Sequence, residues 1–165
     1  MAFFIPVFQQ LNTANVRYVV VGGVATILHG YVRATTDIDL IVDLQVEEAE
    51  KVIKTLSDAG YKPRIPVEAM EFADTNKREG WIKTKDMTVF SMFHPGQPGL
   101  SIDLFAKHPI PFEELWQRSK IFDVDGTEIR TCSLDDLLKL KEMAGRNKDK
   151  DDIEKLQRIK DYGKQ

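Results

Sequence analysis

Residues 19–42 read VVVGGVATILHGYVRATTDIDLIV, so two β-branched runs bracket a Gly22-Gly23 pair and an Asp37-Ile38-Asp39 triplet. Placing carboxylates inside so apolar a segment is costly unless they are paired or hold a metal ion. In an extended strand, residues two apart point to one face. Asp37 and Asp39 therefore project together, while Ile38 and Leu40 turn the other way, into a core. Two adjacent carboxylates repel, and one resists ionisation unless a cation stands between them. Hard cations such as Mg²⁺ take oxygen ligands and usually keep waters and substrate phosphates in their shell.

A third acid has the same setting. Asp103 in SIDLF is flanked by Ile102 and Leu104. If its strand lies beside the Asp37–Asp39 strand, three carboxylates converge. Such a group holds two metal ions about 4 Å apart in enzymes of in-line phosphoryl and nucleotidyl displacement. An isolated Asp-x-Asp is more often a turn or a cap, and Asp43, Asp123 and Asp125 are read that way. A Gly-Gly alone is more often a tight turn. A strand that ends in Gly22-Gly23 and opens a helix instead bares backbone N–H groups, which suits phosphate. The two features within one helix of each other are more specific than either.

Bulk properties narrow the setting. The chain has 165 residues, of which 42% are apolar and 30% charged, which fits one soluble domain spanning 1–165. A net charge of −3 gives no global basic field to draw it to nucleic acid. The one cysteine, Cys132, excludes an internal disulfide, and no Cys/His cluster has zinc spacing. The apolar start MAFFIPVFQQLN carries no early positive charge and is broken by Pro6, Gln9 and Gln10, unlike a signal peptide. No run reaches membrane-spanning length. The expectation is a cytoplasmic protein without a membrane partner.

Periodicity predicts a helix over 3–14, strands at 16–21, 38–43 and 100–106, a short helix after Gly23 and an amphipathic helix over 46–60. Residues 68–80 read as a helix or an ordered loop, and WIKTKDMTVFSMF (81–93) as one strand or a broken pair. HPGQPG (94–99) is a turn, and IFDVDGTEIRTC (121–132) a hairpin about Asp125-Gly126. Ser133 and Asp136 resemble a capping box, with Leu134, Leu137, Leu138 and Lys141 on one side of the helix that follows. Gly145 ends that helix and a second follows, so the C-terminal helices begin at about 133. The mixture predicts an α/β (α+β) chain with a mixed central sheet flanked by helices. The three histidines, Trp81, Trp116 and Cys132 are read as structural. Arg64, Lys77, Arg78, Lys83 and Lys85 are available to RNA phosphates, although a solvated surface is the commoner reason for such a run.

The glycine pair after a strand, the short helix and DIDL resemble the nucleotidyltransferase superfamily that includes DNA polymerase β. GGVATILHGYVRATTDIDLIV looks like the AbiEii-type toxin nucleotidyltransferases, and LLKLKEMAGRNKDKDDIEKL looks like their K/R…KDxxD segment, with Arg146, Lys148, Asp149 and Asp152 at the matching positions. The resemblance covers residues 19–43, 100–106 and 133–156, about a third of the chain. Many relatives carry Gly-Ser where this chain has Gly22-Gly23, which leaves only backbone donors here. The resemblance implies a polymerase-β-like nucleotidyltransferase fold and a nucleoside triphosphate substrate. It makes Asp37, Asp39 and Asp103 catalytic and ligands of Mg²⁺ or Mn²⁺. It gives Gly22, Gly23, Arg33, Thr36 and Lys148 to the nucleotide, with Asp152 and Arg146 in support. The acceptor stays open among RNA, protein and a small molecule, with an antitoxin protein as a partner in the toxin case. A catalytically inert module that binds nucleotide or a partner is the alternative.

Overall fold

The structure is a computed structural model and describes residues 3–163, with the side chain of Lys148 outside the described part. The N-terminal helix α1 (Ile5–Thr13) has proline in its first turn and buries Val7, Phe8 and Leu11. Strand β1 (Tyr18–Val21) is buried along its whole length and runs straight into α2 (Gly22–Leu28). A loop leads to β2 (Asp37–Val42), then α3 (Val46–Asp58), whose Ala49, Val52, Ile53 and Leu56 form one buried stripe at helical spacing. The two-residue strand β3 (Lys62–Pro63), a 3-10 turn (Ala69–Ala73), α4 (Thr75–Lys85) and β4 (Val89–Phe93) follow. The rest is β5 (Ser101–Phe105), α5 (Phe112–Arg118), the hairpin β6–β7 (Lys120–Val124, Thr127–Thr131) and the helices α6 (Leu134–Ala144) and α7 (Asn147–Tyr162).

These strands form one seven-stranded mixed sheet in the order β3-β4-β5-β2-β1-β7-β6. Pairs β1–β2, β3–β4, β4–β5 and β6–β7 are antiparallel, whereas β2–β5 and β1–β7 are parallel. The mixed α/β fold expected from the sequence is present. Ile38, Leu40, Ile102 and Leu104 lie on one face and are wholly excluded from water. Full burial of each such side chain is worth about 1.5–3 kcal/mol, which makes this shared layer a main anchor of β2 against β5.

Two expectations need correction. Residues 81–85 are the end of α4, not a strand, and only residues 89–93 are extended. The helix wins because the Asp74 carboxylate caps it, accepting from the backbone N–H groups of Asn76 and Lys77, and because Asp86 ends it in the left-handed conformation. Arg78, grouped with exposed cations, is instead buried and donates to the carbonyls of Phe72 and Leu44, which fastens α4 to the chain beside α3. Helix α5 and strand β3 carry no periodicity long enough to announce them.

Readings of structural residues fare better. Asp43 is buried, pairs with Arg17 and accepts from the backbone of Gln45. Asp123 accepts from Gly126 N–H in the hairpin turn. His29 Nε2 donates to the Cys132 carbonyl and His108 Nε2 to the Val42 carbonyl. Trp81 stacks on Phe90. Burial pushes the Cys132 thiol up, away from any nucleophilic role.

Ser133 Oγ accepts from Asp136 N–H at 3.1 Å and donates to the same residue's carboxylate at 2.8 Å. That carboxylate also receives two bonds from Arg118, so the cap ties α5 to α6. Ser133→Ala is expected to lower stability by about 1 kcal/mol. Urea unfolding will show this as a lower midpoint with an unchanged slope.

Candidate functional site

The acidic residues are placed by strand register. Val21 lies opposite Asp39 across β1–β2, and Asp39 lies opposite Asp103 across β2–β5. Partners in register share a face, so Asp39 and Asp103 stand side by side, with Asp37 two residues along the same face. Ser101 is the partner of Asp37, and its hydroxyl donates to Asp37 Oδ1 at 2.9 Å. The Thr36 hydroxyl reaches the same oxygen at 3.4 Å.

The glycine pair sits against this face. Gly23 N–H points at Asp39 Oδ2 at 3.4 Å. A Cβ on Gly22 would fall 2.0 Å from Asp39 Oδ2, and the backbone there is left-handed, with φ +63°. A Cβ on Gly23 would fall 2.5 Å from Thr35 Oγ1. The glycines are thus required by close approach as well as by conformation.

Electrostatics follow from the geometry. Asp39 is pushed up from an ordinary 3.8 to about 6, first by burial and then by the neighbouring Asp103 charge, with Asp37 adding to both. Gly23 N–H and the Arg146 charge work in the opposite direction. Asp103 Oδ1 is buried and has no hydrogen-bond partner among the described residues. An all-oxygen donor set with one orphaned buried oxygen and one carboxyl resisting ionisation suits a hard divalent cation. The side chains as they stand are not gathered into a finished cluster: among the described residues no three His, Cys, Asp or Glu groups are set to hold a metal ion.

The C-terminal helices bring a second group of charges. Lys141 is buried and its Nζ lies 2.7 Å from Asp152 Oδ2 and 3.6 Å from Asp149 Oδ1. Arg33 pairs with Asp152, and Arg146 grips both oxygens of Asp149 at 2.7 and 3.1 Å. The structure therefore gathers Arg33, Arg146 and Asp152, and the Arg146 charge reaches Asp39. Arg33 is engaged by Asp152 rather than projecting alone. Lys148 lies in α7, but its side chain is outside the described residues. Lys141 was passed over in the sequence, although a lysine on the stripe of Leu134, Leu137 and Leu138 signals a buried acidic partner.

Two outcomes follow. Folding favours the protonated form of Asp39, so its carboxyl costs nothing below its ordinary range and lowers stability as pH rises from about 4 through 6. In metal-free protein, Asp39→Asn is expected to be more stable than wild type by up to about 3 kcal/mol above this range. The two should converge in acid, as thermal unfolding across pH will show. Gly22→Ala is expected to cost about 2 kcal/mol or more, because the left-handed backbone and the Asp39 carboxylate both exclude a methyl group. Denaturant titration measures that loss.

Comparisons with known proteins agree with this architecture. No curated protein sequence matches the chain. Among solved structures, the lincosamide antibiotic adenylyltransferase LnuA, in its lincomycin-bound form, is 18% identical with a TM-score of 0.62, and the match covers 93% of each chain. A putative nucleotidyltransferase from Thermotoga maritima is 14% identical over 91% of this chain and 87% of that one, with a TM-score of 0.57. An antigenic nucleotidyltransferase-like protein from Paracoccidioides brasiliensis is 16% identical over 96% of this chain and 73% of that one, with a TM-score of 0.58. At such identities the likeness is one of fold. A family model described as "Nucleotidyltransferase of unknown function (DUF6036)" matches residues 4–162. With a polymerase-β-like sheet and a family match over almost its whole length, the chain belongs to this nucleotidyltransferase family.

Proposed function

We propose that the chain transfers a nucleoside monophosphate from a nucleoside triphosphate to an acceptor hydroxyl, with Asp37, Asp39 and Asp103 as the catalytic carboxylates. The observation that carries this reading is the register of β2 with β5, which sets the three acids on one face and leaves Asp103 Oδ1 buried without a partner among the described residues. These three residues would hold Mg²⁺ or Mn²⁺. A divalent cation bound there supplies Lewis-acid stabilisation of the charge that develops on the phosphate oxygens.

The chain's own groups do the rest. Gly22 and Gly23 bring bare backbone up against the Asp39 side of the face, where they are assigned to the triphosphate. Arg146 brings positive charge to that side, and Arg33, Thr36 and Lys148 are assigned to the nucleotide with it. Asp152 holds Arg33 and Lys141 in place. Asp103 Oδ1, free to accept, takes the proton of the attacking hydroxyl. The acceptor oxygen bonds to the α-phosphorus, the bond to the bridging oxygen breaks, and pyrophosphate leaves with that electron pair.

A small acceptor is the preferred subclass. LnuA, of similar fold, is a lincosamide adenylyltransferase solved with lincomycin bound, which supports nucleotidyl transfer to a small hydroxyl compound. The AbiEii-like toxin reading, with RNA or protein as acceptor and an antitoxin partner, is kept by the resemblance of residues 133–156.

The test offers RNA, protein and small-molecule pools, each with an α-labelled triphosphate and Mg²⁺. Label is expected in one pool, and Asp37→Asn and Asp39→Asn should each lower transfer by about a thousandfold or more. Undiminished transfer by both variants overturns the site assignment. Triphosphate binding without transfer to any pool identifies an inert nucleotide-binding module instead.

A further inference from the structure

A cleft of about 660 Å³ opens beside the acidic face. Phe3, Phe4 and Pro6 around the start of α1, Thr35 and Thr36 before β2, and Pro98 and Leu100 before β5 line it. The lining adjoins the candidate catalytic strands. Thr36 directly precedes Asp37, and its carbonyl accepts from Ser101 N–H at 3.3 Å. Ser101 in turn donates to Asp37 through its hydroxyl. None of the described side chains lining the cleft is charged. Its size is that of a small-molecule site.

We propose that this cleft seats the acceptor, a small uncharged molecule that carries a ring and a free hydroxyl. The inference rests on the transferase reading above. In-line displacement puts the attacking oxygen and the leaving pyrophosphate on opposite sides of the α-phosphorus. The glycine turn, whose Gly23 N–H points at Asp39 Oδ2, marks the Asp39 end of the acidic face. That end suits the leaving phosphates. The cleft lies at the other end, next to Asp37 and at the entry to the strand that carries Asp103. An acceptor seated there presents its hydroxyl to the carboxylates from the side opposite the leaving group. Its oxygen bonds to phosphorus, its proton passes to Asp103, and pyrophosphate departs with the electrons of the broken bond. The lining selects within the class of acceptors. RNA would bring phosphates to walls with no cation among the described side chains, an unfavourable match. A ring packs against Phe3, Phe4 and Leu100, and the Thr35 hydroxyl and Gln97 offer hydrogen bonds.

The experiment divides extract small molecules by ion exchange into neutral and charged pools and runs them beside RNA and protein pools, with each α-labelled triphosphate and Mg²⁺. Two variants accompany the wild type. Gln97→Trp fills the cleft from its exposed rim, and Phe3→Ala removes part of one wall at a residue 78% exposed, so the fold does not depend on it. Label is expected in the neutral small-molecule pool. Each variant should lower transfer about tenfold or more at limiting acceptor, with Mg²⁺–triphosphate affinity by calorimetry unchanged. Label confined to RNA, protein or charged small molecules overturns the proposal and leaves the transferase reading standing. So does full transfer by both variants, or a tenfold loss of triphosphate affinity, which would give the cleft to the nucleobase. No label in any pool from wild type overturns the transferase reading and the proposal with it.

Discussion

Strands β2 and β5 run parallel with Asp39 opposite Asp103, and that pairing decides what stands on each face of the sheet. On one face it sets carboxylate beside carboxylate, in surroundings dry enough to push Asp39 up to about 6. On the other it stacks Ile38 and Leu40 against Ile102 and Leu104, all fully buried. The magnitudes favour the apolar face. Each of those four side chains contributes about 1.5–3 kcal/mol by leaving water, against a penalty of about 3 kcal/mol for a carboxyl shifted this far. A slip of one residue would exchange the faces, burying acids and exposing aliphatics, so the register that assembles the acidic face is the same one that folding requires.

The C-terminal helices extend this arrangement by a different force. Lys141 sits buried between Asp149 and Asp152, with Arg33 from the loop before β2 and Arg146 from the turn between α6 and α7 closing the group. Buried ion pairs add little net stability, but losing one partner leaves an uncompensated charge. Their effect here is positional. The group joins α6, α7 and the approach to Asp37 into one body, and it brings the Arg146 charge within reach of Asp39.

Much of this could be read from the residues. The Asp-x-Asp strand and its apolar counter-face were legible because a strand's period of two separates them without tertiary information. The glycine turn, the β6–β7 hairpin and the Ser133 cap were legible for the same local reason. Which strand lay beside Asp37–Asp39 was not local: the like setting of Asp103 between Ile102 and Leu104 made its strand a candidate, and the resemblance implied its role. Residues 81–85 were misread because aromatic and β-branched side chains favour strands, while the Asp74 cap that made them helical lay outside the window considered. Arg78 looked like a solvent-facing cation, since nothing in the chain nearby revealed the carbonyls that receive it, whereas Lys141, on the leucine side of its helix, carried a signal of burial that was not followed to Asp152. The acidic face was therefore visible early, whereas the cleft beside it was not. Its walls come from residues 3–6, 35–36 and 97–100, three segments with no common pattern.

The packing of Thr35 against Gly23 bears on how the chain can change. A side chain at position 23 would need the space that the Thr35 hydroxyl and Cβ fill, at 2.5 and 2.9 Å from where its own Cβ would stand. The Gly-Ser form of the turn therefore needs Thr35 to shift or to become smaller, which couples the two positions sterically. The threonine already sets a hydroxyl over the glycine turn, from the opposite strand of the loop. That hydroxyl is turned to the Asp37 carbonyl at 3.3 Å, so the residue that fills the space over the turn also braces the start of the acidic strand.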